Sequence, residues 1–171
     1  MSKLMIRAIA SWVIVGWICK VFLTSIPYKF TQHPDTQHIF GTVGEWLGGL
    51  ITPAVGDLFS QFGAYVVGSF EILTCLILLI PAVVILIRKL NGQPWTNVRP
   101  RWHVIGGLMA SAVMLGAVFF HLFTPLGIEV LHNGVSDGGS LFYAAVSILV
   151  LGIVLAIINF TAPATTPSDS W

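Results

Sequence analysis

Charged residues are scarce in this sequence, and their scarcity defines its class. Only 9% of the 171 residues are Asp, Glu, Lys or Arg, whereas 56% are hydrophobic. A soluble globular domain carries about 25% charged residues, which keep its surface solvated by water. The composition therefore argues against an ordinary soluble domain and predicts an integral membrane protein.

Several signatures of common active sites are also missing. The sequence has no glycine-rich phosphate loop, no nucleophile elbow and no H-E-x-x-H zinc motif. It has no basic patch with interleaved aromatic residues, so we expect no nucleic-acid partner. Cys19 and Cys75, the two cysteines, lie in apolar runs without a C-x-x-C motif, which predicts structural thiols. His33, Asp35 and His38 match no metal-ligand spacing, so we interpret them as surface loop residues and predict no metal site.

What the sequence does contain is long apolar runs. Four of them are present, at about residues 5–26, 65–87, 104–124 and 141–160. A helix of about 20 residues crosses a hydrocarbon core of about 30 Å, and these runs lack the period-two alternation of a β-barrel strand. The sequence thus predicts an all-α integral membrane four-helix bundle, with one domain over residues 1–160. Residues 161–171, TAPATTPSDSW, have the composition of a disordered tail.

The distribution of charge predicts the orientation of the bundle. The basic residues near the N-terminus and between the second and third spans are Lys3, Arg7, Arg88, Lys89, Arg99 and Arg101. Lys and Arg remain on the cytoplasmic side of a membrane. Both termini are therefore predicted to be cytoplasmic, with residues 27–64 and 125–140 outside. Arg99, Arg101 and Trp102 suit an anchor in the inner headgroup layer.

The outer connection, residues 27–64, is too long for a plain turn. Apolar residues recur in it at helical spacing before and after Thr52, and Thr52 followed by Pro53 is typical of a helix start. We predict two short amphipathic helices on the outer face of the bundle. They would either cap the bundle at the headgroups or form a lid over a site between the spans.

Ionisable residues inside the spans are the main candidates for function. Counted from the predicted outer ends, Glu71 lies about six residues deep, Lys20 about six and His121 about three, with Lys29 just beyond the first span. These groups converge on the outer half, and we expect nothing comparable on the inner half, where His103 lies at a span boundary. A buried carboxylate needs a cation or a proton, so Glu71 should face a lysine. The group is either a polar clasp between helices or a proton-handling site.

Four segments of the chain resemble the DoxX-like family of small bacterial membrane proteins. They are IPYKFTQHP (26–34), GSFEILTCLILLIP (68–81), MLGAVFFHLFTPLGIEV (114–130) and DGGSLFYAAV (137–146). The resemblance implies a four-helix bundle in the bacterial cytoplasmic membrane, linked to quinol oxidase or thiosulfate:quinone oxidoreductase systems. Lys29, Glu71 and His121 match polar positions of the family, which favours Lys29 over Lys20 as the cation. The segment GGLITPAVGDLFSQFG (48–63) is longer than the family's loop.

These observations support two main functional hypotheses. The first is a membrane component of a redox-linked system, in which a quinone enters between the spans and Glu71, His121 and Lys29 handle its protons. The sequence encodes no cofactor site, so a membrane protein partner would supply the electrons. The alternative is a structural or assembly subunit of a larger membrane complex. A small-solute transporter is a weaker third hypothesis, because the chain shows no inverted repeat.

Overall fold

The computed structural model of the chain describes residues 2–94 and 97–161. Its elements, in chain order, are α1 (Lys3–Phe30), α2 (Pro34–Leu50), α3 (Pro53–Leu90), α4 (Arg99–Phe123), β1 (Leu131–His132), β2 (Val135–Ser136) and α5 (Ser140–Phe160). The two strands form one short antiparallel hairpin between α4 and α5. Four helices, α1, α3, α4 and α5, are long and apolar enough to cross a membrane. The predicted all-α four-helix membrane bundle is confirmed, whereas the predicted disordered tail lies, beyond Thr161, outside the described residues.

Helix α1 extends past the predicted first span at its C-terminal end. Ser2 caps its start by accepting a hydrogen bond from the Met5 N–H at 3.2 Å. Pro27 lies inside the helix, yet the helix continues to Phe30, and the Thr31 N–H donates to the Pro27 carbonyl at 3.0 Å. This last turn of α1 carries Lys29, which the sequence placed just outside the span.

Helix α3 corrects the prediction of two separate short helices. The Thr52 hydroxyl accepts a hydrogen bond from the Val55 N–H at 3.4 Å and Pro53 occupies the first turn, so the predicted helix start is confirmed. The helix then continues for 38 residues, about 57 Å, without interruption. No proline or turn sequence separates residues 53–62 from the second span, so the second predicted short helix is instead the first part of α3. Only α2 is a separate helix in this connection.

Helices α2 and α3 pack closely because two glycines face each other. A Cβ atom at Gly44 would lie 2.7 Å from the Gly56 carbonyl oxygen, and one at Gly56 would lie 2.5 Å from the Gly44 carbonyl oxygen. Real Cβ contacts are not this short, so both positions require glycine for the observed approach. This contact fixes α2 against the beginning of α3.

Glycines also bring α4 and α5 together. A Cβ atom at Gly107 or at Gly152 would lie 2.6 Å from the other residue's carbonyl oxygen, and one at Gly106 would lie 2.5 Å from Leu78. Glycine is therefore required at Gly106 and Gly107 of α4. At Gly116 of the same helix, by contrast, an added Cβ would meet no heavy atom within 4 Å.

An apolar core fills the middle of the bundle. Its most buried large members are Phe22 and Ile18 of α1, Leu78 of α3, and Ile148 and Leu155 of α5, each at most 1% exposed. The core separates two polar groups at opposite ends of the bundle. We refer to these ends as the Glu71 end and the Arg99 end.

Candidate functional site

Glu71 is held in a buried ion pair at the Glu71 end of the bundle. The Lys29 Nζ donates to Glu71 Oε1 at 3.1 Å and lies 2.9 Å from Oε2. The Ser25 Oγ lies 2.9 Å from Glu71 Oε2, within hydrogen-bonding reach, and accepts a hydrogen bond from the Lys29 Nζ at 2.7 Å. Glu71 is 3% exposed. The predicted carboxylate–lysine pairing is therefore present, and the lysine is Lys29.

The spacing along α1 explains how this group forms. Ser25 and Lys29 are four residues apart, so they project from the same face of the helix. That face packs on α3, where Glu71 points back toward α1 from the neighbouring helix. Removing a charged carboxylate from water costs several kcal/mol, and this cost is offset only when a partner charge and further hydrogen bonds replace the water. Lys29 supplies the charge, and Ser25 supplies the additional polar contact.

Lys20 does not take part in this group. Its Nζ lies 5.3 Å from the centroid of the Trp17 ring, and the side chain is exposed on the outside of α1. An exposed lysine in a span extends its ammonium group toward the interface. The structure thus pairs Glu71 with Lys29, the lysine that the family resemblance favoured.

A cavity of about 230 Å³ lies beside the ion pair. Lys29, Glu71 and His121 all line it, and most of its remaining wall is apolar. Helix α2 contributes Ile39, Phe40 and Val43 to this wall, so α2 does more than rest on the bundle at the headgroups. Further side chains that line the cavity include Phe22, Ser25, Phe59, Met114, Phe120 and Leu126.

His121 has a defined tautomer in this arrangement. Its Nδ1 lies 2.6 Å from the Gly127 carbonyl oxygen, and a carbonyl only accepts, so Nδ1 carries a hydrogen and donates it. The Nε2 of the neutral ring is then an acceptor, and in the described part of the chain the hydrogen bond of this ring is the one that Nδ1 makes. His121 is 7% exposed, and Phe142 packs edge-on against its ring. His121 lines the cavity, so a molecule bound there would contact its ring.

Glu71 and His121 both line the cavity. Among the residues that the structure describes, however, no hydrogen bond joins these two side chains directly. A proton relay between them would need a molecule in the cavity to bridge the two side chains. The arrangement resembles a binding site with polar groups on different walls more than a continuous hydrogen-bonded chain. Such an apolar pocket with a few convergent polar groups is typical of a small-molecule site.

The loop after α4 is held in place by Asp137. The Asp137 carboxylate accepts hydrogen bonds from the N–H groups of Val130 at 2.8 Å, Gly139 at 2.9 Å and Leu141 at 3.0 Å. Partial burial raises the pKa of Asp137, but these backbone hydrogen bonds and one from Ser140 outweigh it and lower the pKa below the ordinary value of 3.8. This loop also contains Gly127, so its fixed shape orients the His121 ring.

A histidine that the sequence did not single out joins the loop residues near the start of α2. The His132 Nδ1 lies 2.6 Å from Asp35 Oδ1, and its ring stacks on His38 at 4.8 Å. The His33 Nδ1 lies 3.3 Å from the other Asp35 oxygen. In the described part of the chain, no three His, Cys, Asp or Glu side chains are placed to hold a metal ion. These residues join α2 to the β1–β2 hairpin.

A second polar group lies at the Arg99 end, where none was expected. The Arg99 Nη1 donates to Ser11 Oγ at 2.9 Å and to Asn159 Oδ1 at 2.8 Å, and Asn159 Nδ2 donates to Ser11 Oγ at 2.9 Å. Arg99 is 7% exposed, so its predicted role as a headgroup anchor is wrong. His103, predicted at a span boundary, is fully buried against Trp12.

The Arg99 group was missed for a physical reason. Helix α4 begins at Arg99, five residues before the predicted span at residue 104, so the arginine enters the bundle. Its partners Ser11 and Asn159 are uncharged and lie within apolar runs, so the charge pattern of the sequence did not indicate them. The only signal was an amide, Asn159, within an otherwise apolar helix. The group joins α1, α4 and α5 and acts as a structural clasp.

Comparison with known proteins adds no relative to this description. The chain matches no family model, and neither a curated protein nor a solved structure shows significant similarity to it. The resemblance to the DoxX-like family therefore stays a prediction.

Proposed function

We propose that the protein is a membrane component of a redox-linked system and binds the head group of a quinone in the cavity beside Glu71. The single observation that carries the proposal is that Lys29, Glu71 and His121 come from three helices to line one mostly apolar cavity. Ionisable groups inside a membrane are costly to bury, and they usually mark a site for substrates, ions or protons. The resemblance to the DoxX-like family points to the same class of ligand.

The size of the cavity favours a head group over a whole lipid. Pockets for drug-sized ligands measure about 300–1,000 Å³, and this cavity is about 230 Å³. A six-membered quinone ring fits such a volume, whereas a prenyl tail does not. The tail would lie between helices, in the surrounding lipid.

The polar groups suit the two states of a quinone ring. Lys29 can donate to one carbonyl oxygen while remaining near Glu71. On the other wall, the neutral ring of His121 presents Nε2 as an acceptor for the hydroxyl group of a quinol, and a protonated ring would donate to a quinone carbonyl. Glu71 and His121 would thus give and take the two protons that accompany two-electron reduction.

Thermal unfolding of the purified protein in lipid nanodiscs tests this proposal. A short-chain quinone analogue at 100 times its dissociation constant should stabilise the folded protein by about 2.7 kcal/mol. Glu71→Gln and His121→Ala should each reduce the increase in Tm. Gly116→Val adds an isopropyl group at a position that lines the cavity and has open space around it, so it should also reduce the increase.

Two matched controls accompany these variants. Lys20→Ala removes an exposed lysine from the same helix as Lys29. Gly16→Val adds the same isopropyl group at a glycine that also has open space but does not line the cavity. Both controls should keep the full quinone effect. Equal Tm values with and without the analogue in the unmodified protein would refute the proposal.

The surface around the α2–α3 turn supports the alternative of an assembly subunit. Four apolar side chains, Leu50, Ile51, Leu58 and Phe62, are between 52% and 65% exposed there. They extend the apolar surface beyond the predicted span and would suit contact with another membrane protein. Purification in mild detergent distinguishes the two: a stoichiometric partner that is lost in Leu58→Gln supports assembly, and a monodisperse single protein argues against it.

A further inference from the structure

The positive charge of Arg99 is buried among neutral partners. In the described part of the chain, the hydrogen bonds of its guanidinium group are the two that Nη1 donates, to Ser11 Oγ and to Asn159 Oδ1. No carboxylate among the described residues forms an ion pair with it. Six of the seven acidic residues lie toward the Glu71 end, and the seventh, Asp169, lies outside the described residues. Burying a charge is costly unless an opposite charge compensates it.

A second arginine crosses the same seam between α1 and α5. The Arg7 Nη1 donates to the Thr161 carbonyl oxygen, at the end of α5, at 3.0 Å. Arg7 precedes Ser11 by four residues, so both side chains lie on one face of α1. Thr161 follows Asn159 by two residues. Arg7 therefore meets the seam within about one helical turn, about 5 Å, of the Arg99 contacts.

The start of α4 adds to the positive potential at this seam. The N-cap residue, Val98, makes no side-chain hydrogen bond to the first turn, and that turn contains no acidic residue. The N-terminus of a helix carries a partial positive charge and unpaired N–H groups, which favour anions such as phosphate. Arginine and a helix start thus combine at one place, and both favour a negatively charged ligand.

Two rings close the bundle beneath Arg99. His103 follows Arg99 by four residues, so it lies one turn deeper on the same face of α4. Its ring is fully buried, and the Trp12 ring packs edge-on against it with centroids 4.8 Å apart. Trp12 directly follows Ser11 on α1. A ligand would therefore approach Arg99 from the helix ends, where Arg7 is only partly buried.

We propose that Arg99 and Arg7 bind a phosphate group at the seam between α1 and α5. A guanidinium group has five N–H donors in a planar fork that matches the oxygens of a phosphate. Basic pockets between spanning helices bind the head groups of anionic lipids. The seam lies at the ends of two spanning helices, so an anionic phospholipid is the favoured source of the phosphate. The site is at the opposite end of the bundle from the cavity, and it does not depend on quinone binding.

The test uses the full-length protein in a non-ionic detergent, titrated with dioleoylphosphatidylglycerol, and native mass spectrometry counts the bound lipids. We expect one lipid to bind ahead of the others. Dioleoylglycerol, which has the same tails without a phosphate, should show no such first site. Arg99→Gln and Arg7→Gln should each weaken the first binding step by about tenfold or more. Arg99→Lys keeps the charge without the fork and should weaken binding less than Arg99→Gln.

Two controls and one parallel titration accompany these variants. Arg101→Gln removes an exposed charge from the same turn of α4, so it should change binding by less than about twofold. Asp169→Asn removes the acidic residue outside the described residues, and it should leave both Tm and lipid binding unchanged. Inorganic phosphate at constant ionic strength is titrated in parallel, with Tm as the measurement. Arg99→Gln also removes part of the clasp, so Arg7→Gln decides the outcome if that variant does not fold.

Each result supports or overturns the phosphate site. Weaker binding in the Arg99 and Arg7 variants, with Arg101→Gln unchanged, supports it with a lipid as the source. A rise in Tm with inorganic phosphate that is lost in Arg7→Gln, without a preferred lipid, supports it with free phosphate as the source. The proposal is overturned if neither ligand binds, or if Arg101→Gln weakens binding as much as Arg7→Gln. It is also overturned if Asp169→Asn lowers the Tm as much as Arg99→Gln, because the chain would then supply its own carboxylate.

Discussion

At the scale of single residues, the Glu71–Lys29 pair joins α1 to α3 through two charges that are nearly removed from water. The side chains are 4% and 15% exposed, respectively. Breaking such a pair by removing one partner is costly because the remaining charge loses its compensation. The cost should differ between the partners, since a lysine can extend its ammonium group to the interface and a glutamate cannot.

We therefore expect Lys29→Met to destabilise the protein by up to about 3–5 kcal/mol. Glu71→Gln should cost less, and the double variant should recover much of the loss because no unpaired charge remains. Equilibrium unfolding in mixed micelles measures these free energies as a double-mutant cycle. Lys20→Met is the matched control and should be close to neutral. If each single variant loses the same free energy of unfolding and the double variant loses the sum of the two, the side chains are not coupled. That result would contradict the ion pair.

The sequence predicted the residues of this group better than it predicted their contacts. Glu71 stands out because a carboxyl group is rare in an apolar run, and its need for a partner pointed to a lysine at the same depth. The choice of Lys29 depended on how far α1 continues past Pro27, which hydropathy does not indicate. Arg99 was misread for the related reason that a helix start within a polar stretch cannot be located from an apolar pattern.

At the scale of whole elements, the contact between α2 and α3 sets the shape of the cavity wall. Ile39, Phe40 and Val43 of α2 line the cavity, and α2 reaches this position only because Gly44 and Gly56 allow the two backbones to approach. The sequence indicated both helices and the Thr52–Pro53 start. It did not indicate that α3 is continuous. Residues 53–62 are amphipathic and residues 65–87 are almost uniformly apolar, so the two segments look like separate elements although both form one helix.

Gly56→Ala should push α2 away from α3. The added methyl group would meet the backbone of Gly44 and Gly48, neither of which can move aside like a side chain. Overpacking of this kind typically costs about 1–3 kcal/mol, and we expect a lower Tm together with weaker quinone binding. Gly49→Ala is the control: it lies on α2 in open space, so alanine should be neutral or slightly stabilising. An unchanged Tm in Gly56→Ala would mean that the helices are not in tight contact.

At the scale of the whole molecule, the described elements fit an antiparallel bundle whose two ends differ in charge. Arg88 and Lys89 end α3, and Arg99 and Arg101 begin α4, while Asp35, Glu45 and Asp57 lie in α2 and the first turns of α3. Lysine and arginine residues close to a span are retained on the cytoplasmic side of the membrane. The orientation of the chain thus remains a prediction of its charge pattern: the Arg99 end inside and the Glu71 end outside.

Cysteine labelling checks this orientation. In a Cys19→Ser/Cys75→Ser background, Asp57→Cys and Asn91→Cys place single thiols at exposed positions on opposite ends of α3. A membrane-impermeant maleimide added to intact bacteria that express the protein should label Asp57→Cys and spare Asn91→Cys. Opening the cells should make Asn91→Cys reactive as well. The reverse labelling pattern would show that the bundle has the opposite orientation and that the proposed site lies on the cytoplasmic side.

The apolar core between the two polar groups has a consequence for any chemistry at Glu71. Ile18, Leu78 and Ile148 are fully buried there, and the buried apolar cluster to which they belong contains no Asp, Glu, His, Lys or Arg among the described residues. This layer places apolar side chains between the two polar groups. If the proposed chemistry takes place in the cavity, we expect its protons to exchange with the compartment at the Glu71 end. The bundle would load or discharge one face of the membrane without leaking the gradient across it.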